Sequence, residues 1–160
     1  MPDTSPRIRR CRRTDFTAVM HLLSADGPAA VPERRTLRRF RDIVNDLGGD
    51  LYVALLDGAI AGLVHVTYAR QLAVAPRARI ERLVVAEPFR RRQIGSALFE
   101  FARERAIRRG CGTLTCLVPT GDNGAAGFLE RVALRREGQS FVADLLPRAD
   151  GSMDQADRSV

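Results

Sequence analysis

The sequence predicts an α/β protein built on one mixed sheet, antiparallel over most of its width with one parallel pair, and flanked by helices. Three observations lead there. Asp57-Gly58 stands between two runs rich in β-branched and large apolar residues, which is the signature of a tight hairpin. Over 78–119 an apolar run, a turn containing Pro88, a helical pattern and a second β-rich run follow in direct succession. Strand, helix and strand in that order place the two strands parallel through a right-handed crossover. Finally, 160 residues with 45% hydrophobic content suit one domain that buries its own core.

The elements are read in chain order. Residues 1–6 are expected to fray. A short strand occupies 7–11, and Thr14 is the expected N-cap of a helix to about Ser24, with Phe16, Val19, Leu22 and Leu23 inward. Asp26-Gly27-Pro28 signals a turn. A second helix is predicted over 32–47, with Pro32 in its first turn and Leu37, Phe40, Val44 and Leu47 on one face. Gly48-Gly49 ends it. The hairpin strands then cover 51–56 and 59–70, and a third antiparallel strand covers 78–86, where Ile80, Leu83, Val84 and Val85 leave too little room for a helix before Pro88.

From Ile94 the apolar residues Ile94, Ala97, Leu98, Phe101 and Ala102 recur at three and four, one face of a helix that Gly110 closes. A strand over 112–119 follows. Asp122 or Asn123 caps a short helix containing Ala126, Phe128, Leu129 and Val132. A last hairpin is expected from 134–137 and 140–146, and the small polar residues of 147–160 predict a flexible tail.

Composition narrows the function. No apolar run approaches the roughly 18 residues of a membrane span, and the basic N-terminus has no apolar segment behind it, so a cytoplasmic protein is expected. Cys11, Cys111 and Cys116 form no metal-ligand spacing, and their odd number argues against a disulfide framework; no metal is expected. The net charge of +7 comes from Arg alone, since Lys is absent, and it is spread over several segments without the interleaved aromatics that stack bases. Nucleic acid is therefore not the expected partner, whereas small anions are.

The chemistry concentrates at 90–96. The first N–H groups of a helix lack intrahelical acceptors and lie at the positive end of its dipole. Arg90, Arg91 and Arg92 add charge there, Gly95 permits close approach, and Ser96 adds a hydroxyl. The stretch reads as a phosphate cradle, or else as a solvated basic turn before an amphipathic helix.

Leu83-x-Val85 followed by Pro88-x-Arg90-x-x-Gln93-Ile94-Gly95-x-Ala97-Leu98 resembles motif A of the GNAT family of N-acetyltransferases, and the element order over 7–146 resembles their fold. The resemblance implies that Arg/Gln-x-x-Gly-x-Gly/Ala holds the pyrophosphate of acetyl-CoA, with Gln93 standing at the first Gly and Gly95 at the second. It implies further that the motif strand splays from its parallel neighbour and holds pantetheine along the backbone of Leu83, Val84 and Val85. Asn123 and Phe128, in Asn123-x-x-Ala126-x-Phe128-Leu129, resemble the helix that follows the second parallel strand, with Leu129 where the family has a Tyr acid.

Transfer to an amine needs the neutral amine, because an ammonium has no lone pair. On the family pattern the base is Glu81, suited to the task if partly desolvated; a salt bridge to Arg79 or Arg82 is the structural alternative. Asp26, His65, Tyr68 and Ser140 are the candidates to touch the acceptor by analogy, His65 being equally readable as a half-buried sheet residue. The expected activity is transfer of an acetyl group to a primary amine. The alternative is an acyl-CoA-binding module without efficient transfer, which Leu129 and Gln93 motivate. A homodimer through the last hairpin is compatible with this reading and not required by it.

Overall fold

The computed structural model describes residues 5–24, 33–118 and 121–137. A five-stranded sheet runs in the order β1 (Arg7–Arg10), β2 (Gly49–Leu56), β3 (Ala59–Ala69), β4 (Arg77–Val85) and β5 (Thr113–Cys116). The first four strands are antiparallel and β4 pairs with β5 in parallel, as predicted. The helices are α1 (Phe16–Ser24), α2 (Glu33–Asn45), α3 (Ile94–Arg108) and α4 (Asn123–Arg131).

Because successive strand residues point to opposite faces, the sheet carries a core on each side. Tyr52, Val64, Ile80, Leu98 and Phe99 pack on the α3 face, while Val19, Leu22, Phe40, Val53 and Leu63 pack on the face covered by α1 and α2. Burying each such side chain contributes about 1.5–3 kcal/mol. Asp57 and Gly58 turn β2 into β3 with φ of 52° and 79°, the doubly left-handed geometry that matches the twist of a hairpin.

One irregularity organises the site. His65 pairs with Arg82 and Val66 with Ile80, so Glu81 is an extra residue, a β-bulge in β4. In a regular strand Ile80 and Val84 would share a face; here Ile80 packs with α3 and Val84 with α1 and α2. The parallel pairing to β5 covers Arg77 to Ile80 and stops at the bulge. The second half of β4 thus has β3 on one side and no described strand on the other.

Several expectations are corrected. Arg13–Asp15 form a 3-10 turn before α1, and Thr14 is not its cap. The Asp15 carboxylate takes the Arg12 N–H at 2.7 Å while a bidentate pair with Arg9, at 2.7 and 2.9 Å, holds it in place. The second helix ends at Asn45, and Leu47, expected inward, is 86% exposed. Asp46 accepts from the Gly48 N–H at 2.9 Å, which turns the chain before Leu47 can complete the helical face. On α3 the fully buried stripe includes Phe99 and excludes Ala97. Residues 134–137 form no strand with any described residue, and 140–146 lie outside the described residues.

Candidate active site

The turn Glu87–Phe89 delivers the chain from β4 to α3. Between this turn and α3, Arg91 and Gln93 take left-handed φ of 61° and 60°. This geometry is the reason glycine suits position 93, since a side chain there costs about 1–2 kcal/mol. The Ala97 N–H makes the first helical bond, to Gln93 O at 2.9 Å. The N–H groups of Ile94, Gly95 and Ser96 precede it and have no acceptor within the helix.

These groups face an open cleft of about 920 Å3 between β4, the start of α3 and α4. Leu83, Val84, Val85, Arg90, Arg91, Gln93, Ile94, Gly95, Ser96 and Phe128 all line it. Two of the expected residues do not. Arg92 lays its guanidinium over the Phe89 ring, 5.9 Å from the centroid, and Asn123 lines an adjacent pocket of about 470 Å3 together with Cys116 and Leu129. Asp122, which bounds both spaces, caps α4 by accepting the Ala125 N–H at 2.9 Å. Arg90 Nε donates to Val85 O at 3.4 Å, which draws its charge against the C-terminal end of β4.

Gly95 forms part of the cleft floor: a Cβ there would lie 3.5 Å from the Phe128 ring and 3.6 Å from Val85, in ordinary contact. Phe128 in turn packs edge-on to Phe99 at 6.4 Å, tying α4 to α3. Arg131 is a lining cation that sequence reasoning missed. Its spacing of three from Phe128 on one helix was the available signal.

A second cleft, of about 310 Å3, opens on the other side of the sheet beneath α1 and α2. Glu81 and His65 both reach it. The Glu81 side chain is 38% exposed at this cleft. Its carboxylate accepts from Thr67 Oγ1 at 2.7 Å and stands 3.9 Å from Arg79 Nε. The bulge puts it there by turning residue 81 out of the pleat. Burial lowers the pKa of His65 from its ordinary value, against the opposing fields of Glu81 and Asp46, so its ring is neutral at pH 7.

Tyr68 has a different place. Its hydroxyl donates to Asp50 Oδ2 at 2.9 Å, and Arg109 lies over its ring at 4.2 Å. Asp50, fully buried, also pairs with Arg10 and Arg109 at 3.2 Å each. Burial and the Asp50 hydrogen bond push the Tyr68 pKa upward, so it remains a neutral donor. Tyr68 therefore joins β3 to the C-terminus of α3, and it is not among the residues lining the cleft beneath α1 and α2. Asp26 and Ser140 lie outside the described residues. Burial raises the pKa of all three cysteines, Cys11 to about 12, and leaves them as thiols.

Comparison with known proteins accounts for this arrangement. The acetyltransferase (GNAT) family model matches residues 16–133. Among solved structures, a transcriptional regulator from Bacillus halodurans C-125 is 26% identical, with a TM-score of 0.79 over 87% of this chain and 99% of that one. A glucosamine-6-phosphate N-acetyltransferase from Arabidopsis thaliana is 20% identical, with a TM-score of 0.75 over 88% of this chain and 99% of the other. An aminoglycoside acetyltransferase from an uncultured soil metagenomic sample, in complex with sisomicin, is 19% identical, with a TM-score of 0.78 over 91% and 100%. No curated protein matches in sequence.

Proposed function

Because the chain belongs to the acetyltransferase (GNAT) family, we propose that it transfers the acetyl group of acetyl-CoA to a primary amine by direct attack, as one cytoplasmic domain over 7–146. The observation that carries this reading is the 920 Å3 cleft, where the edge of β4 beyond Ile80, which pairs with no described strand, meets the first N–H groups of α3. Arg90, Arg91 and Arg131 line it and balance pyrophosphate charge, the helix N-terminus takes its oxygens, and Leu83 to Val85 offer backbone partners to pantetheine. Arg92 and Asn123 stand beside the cleft and support it at its edges.

Glu81 is the base, reaching the amine from the opposite cleft directly or through water. The amine nitrogen forms the amide bond as the carbon–sulfur bond breaks, and its proton passes to Glu81. The departing thiolate, with an ordinary pKa of about 8.5, takes its proton from water in place of a Tyr. Titration calorimetry with acetyl-CoA tests the reading, and no binding at millimolar ligand removes it. Glu81→Gln is expected to lower the rate about 10²-fold or more, chiefly at low pH where the amine is protonated, with acetyl-CoA affinity intact. An unchanged pH profile places the base elsewhere.

Leu129, an apolar side chain at the family's Tyr position, favours a second reading, an acyl-CoA-binding module. Acetyl-CoA binding without thiol release across a broad amine panel would select it.

A further inference from the structure

The cleft beneath α1 and α2 has an unusual division of chemistry. Its walls are the apolar side chains of α1 and α2, among them Val19, Leu23, Phe40 and Ile43, closed at the sheet by Leu51 and Leu63. A polycationic sugar finds few hydrogen-bond partners on such walls, and its hydroxyl groups would lose water without compensation. At about 310 Å3 the space takes a small apolar body.

Its charged groups are sorted. Glu81 is the one carboxylate that lines the cleft among the described residues, and its bulge holds it at the sheet end. Two guanidinium groups, Arg39 on α2 and Arg82 on β4, line it as well. Neither has an ion-pair or hydrogen-bond partner among the described residues. His65 faces Arg82 across the strand pair, and its neutral ring adds no charge against an incoming ammonium.

We propose that the acceptor is a small apolar α-amino acid, its side chain against the α1 and α2 wall, its amine at Glu81 and its carboxylate on Arg82 and Arg39. The cleft thus offers a group of opposite sign to each end of the zwitterion. A carboxylate gains a bidentate partner from an Arg that has none among the described residues, and a carboxylate-free amine does not. A polycation is also opposed by the two guanidinium groups. The chemical step is unchanged: the α-nitrogen gains the acetyl carbon as the thioester carbon–sulfur bond breaks, the nitrogen's proton goes to Glu81, and coenzyme A leaves as the thiolate and is protonated by water.

This inference rests on the acetyltransferase reading, so acetyl-CoA binding is measured first by calorimetry, and its absence overturns both. With binding established, thiol release is followed with L-phenylalanine, L-leucine, 2-phenylethylamine, glucosamine 6-phosphate and sisomicin. The expected order puts the two amino acids first, 2-phenylethylamine at least tenfold lower in kcat/KM, and the two sugars at background. Arg82→Gln is expected to raise KM for L-phenylalanine about tenfold with kcat unchanged, and to leave KM for 2-phenylethylamine unaltered; Arg39→Gln gives a second, independent reading of the same split. Equal use of L-phenylalanine and 2-phenylethylamine, a preference for either sugar, or no turnover of the amino acids overturns the assignment while acetyl-CoA binding still stands.

Discussion

Gly62 on β3 packs tightly against β4 and the start of α3, and replacing it with Ala tests how the fold builds the site. A Cβ at this position would lie 2.8 Å from Val84 O, 3.1 Å from Leu98 Cδ1 and 3.3 Å from Ile94 Cγ2. The first of these atoms is backbone in β4, paired across to β3, so it cannot swing aside. Leu98 and Ile94 are fully buried and have little room to yield. The methyl must therefore push β4 and the start of α3 outward by roughly half an ångström. Overpacking of this kind costs about 1–3 kcal/mol, offset by the roughly 0.4–1 kcal/mol that Ala gains from a less free unfolded chain. A net loss of about 1–2 kcal/mol lowers the unfolding midpoint of a domain this size by roughly 3–8 °C.

Val84 and Ile94, two of the residues displaced, line the cleft, so acetyl-CoA affinity should fall as well, by about tenfold for each 1.4 kcal/mol lost there. Gly58→Ala is the control. Its Cβ meets nothing, but φ of 79° strains any side chain, so stability falls by about 1 kcal/mol with binding unchanged. Thermal unfolding by circular dichroism and calorimetric titration read the two effects. The reasoning is refuted if Gly62→Ala holds its midpoint, or if it loses stability as Gly58→Ala does with full acetyl-CoA affinity.

Other substitutions probe separate features. Gln93→Gly releases a left-handed side chain and is expected to raise stability by about 0.5–1 kcal/mol after the entropy of Gly is counted, visible as a small rise in the unfolding midpoint; a fall would mean that the Gln side chain is needed. Tyr68→Phe removes a hydrogen bond from buried Asp50 and is expected to lose about 1–3 kcal/mol in denaturant unfolding, with no change in acceptor KM, which a residue facing the acceptor would alter. The Arg9 hydrogen bond lowers the Asp15 pKa in the folded state. Its stabilisation is therefore complete above the ordinary carboxylate pKa and disappears as pH falls below about 4 toward the lowered value. Asp15→Asn should cost on the order of 1 kcal/mol at pH 7 and less at pH 3, and an equal loss at both pH values would reject the pairing as the cause.

Much of this was legible locally. The Asp57-Gly58 hairpin, the strand, turn and helix around Pro88, the Gly110 stop and the anion-binding character of 90–96 follow from turn chemistry, side-chain period and helix-end electrostatics, which act within a few residues. Ten of the twelve residues expected to meet the cofactor line one cleft for the same reason, since they are neighbours in sequence or on one short helix. Arg92 and Asn123 fell outside because side-chain direction at a turn and a helix end depends on what packs nearby.

The remainder belongs to the tertiary structure. The bulge at Glu81 is a mismatch between β3 and β4 and exists only once they pair; it decides that Glu81 faces the apolar cleft and that the parallel pairing stops at Ile80. Tyr68 reads in sequence as a candidate to touch the acceptor; in the fold Asp50, eighteen positions away, and Arg109 just past α3 close around it. The apolar cleft itself draws on α1, α2, β2, β3 and β4, and no stretch of chain carries its shape. Periodicity and turn residues specify which element forms, because those preferences are local energies. Which side chains meet is set by long-range pairing and packing, whose partners a linear pattern does not name.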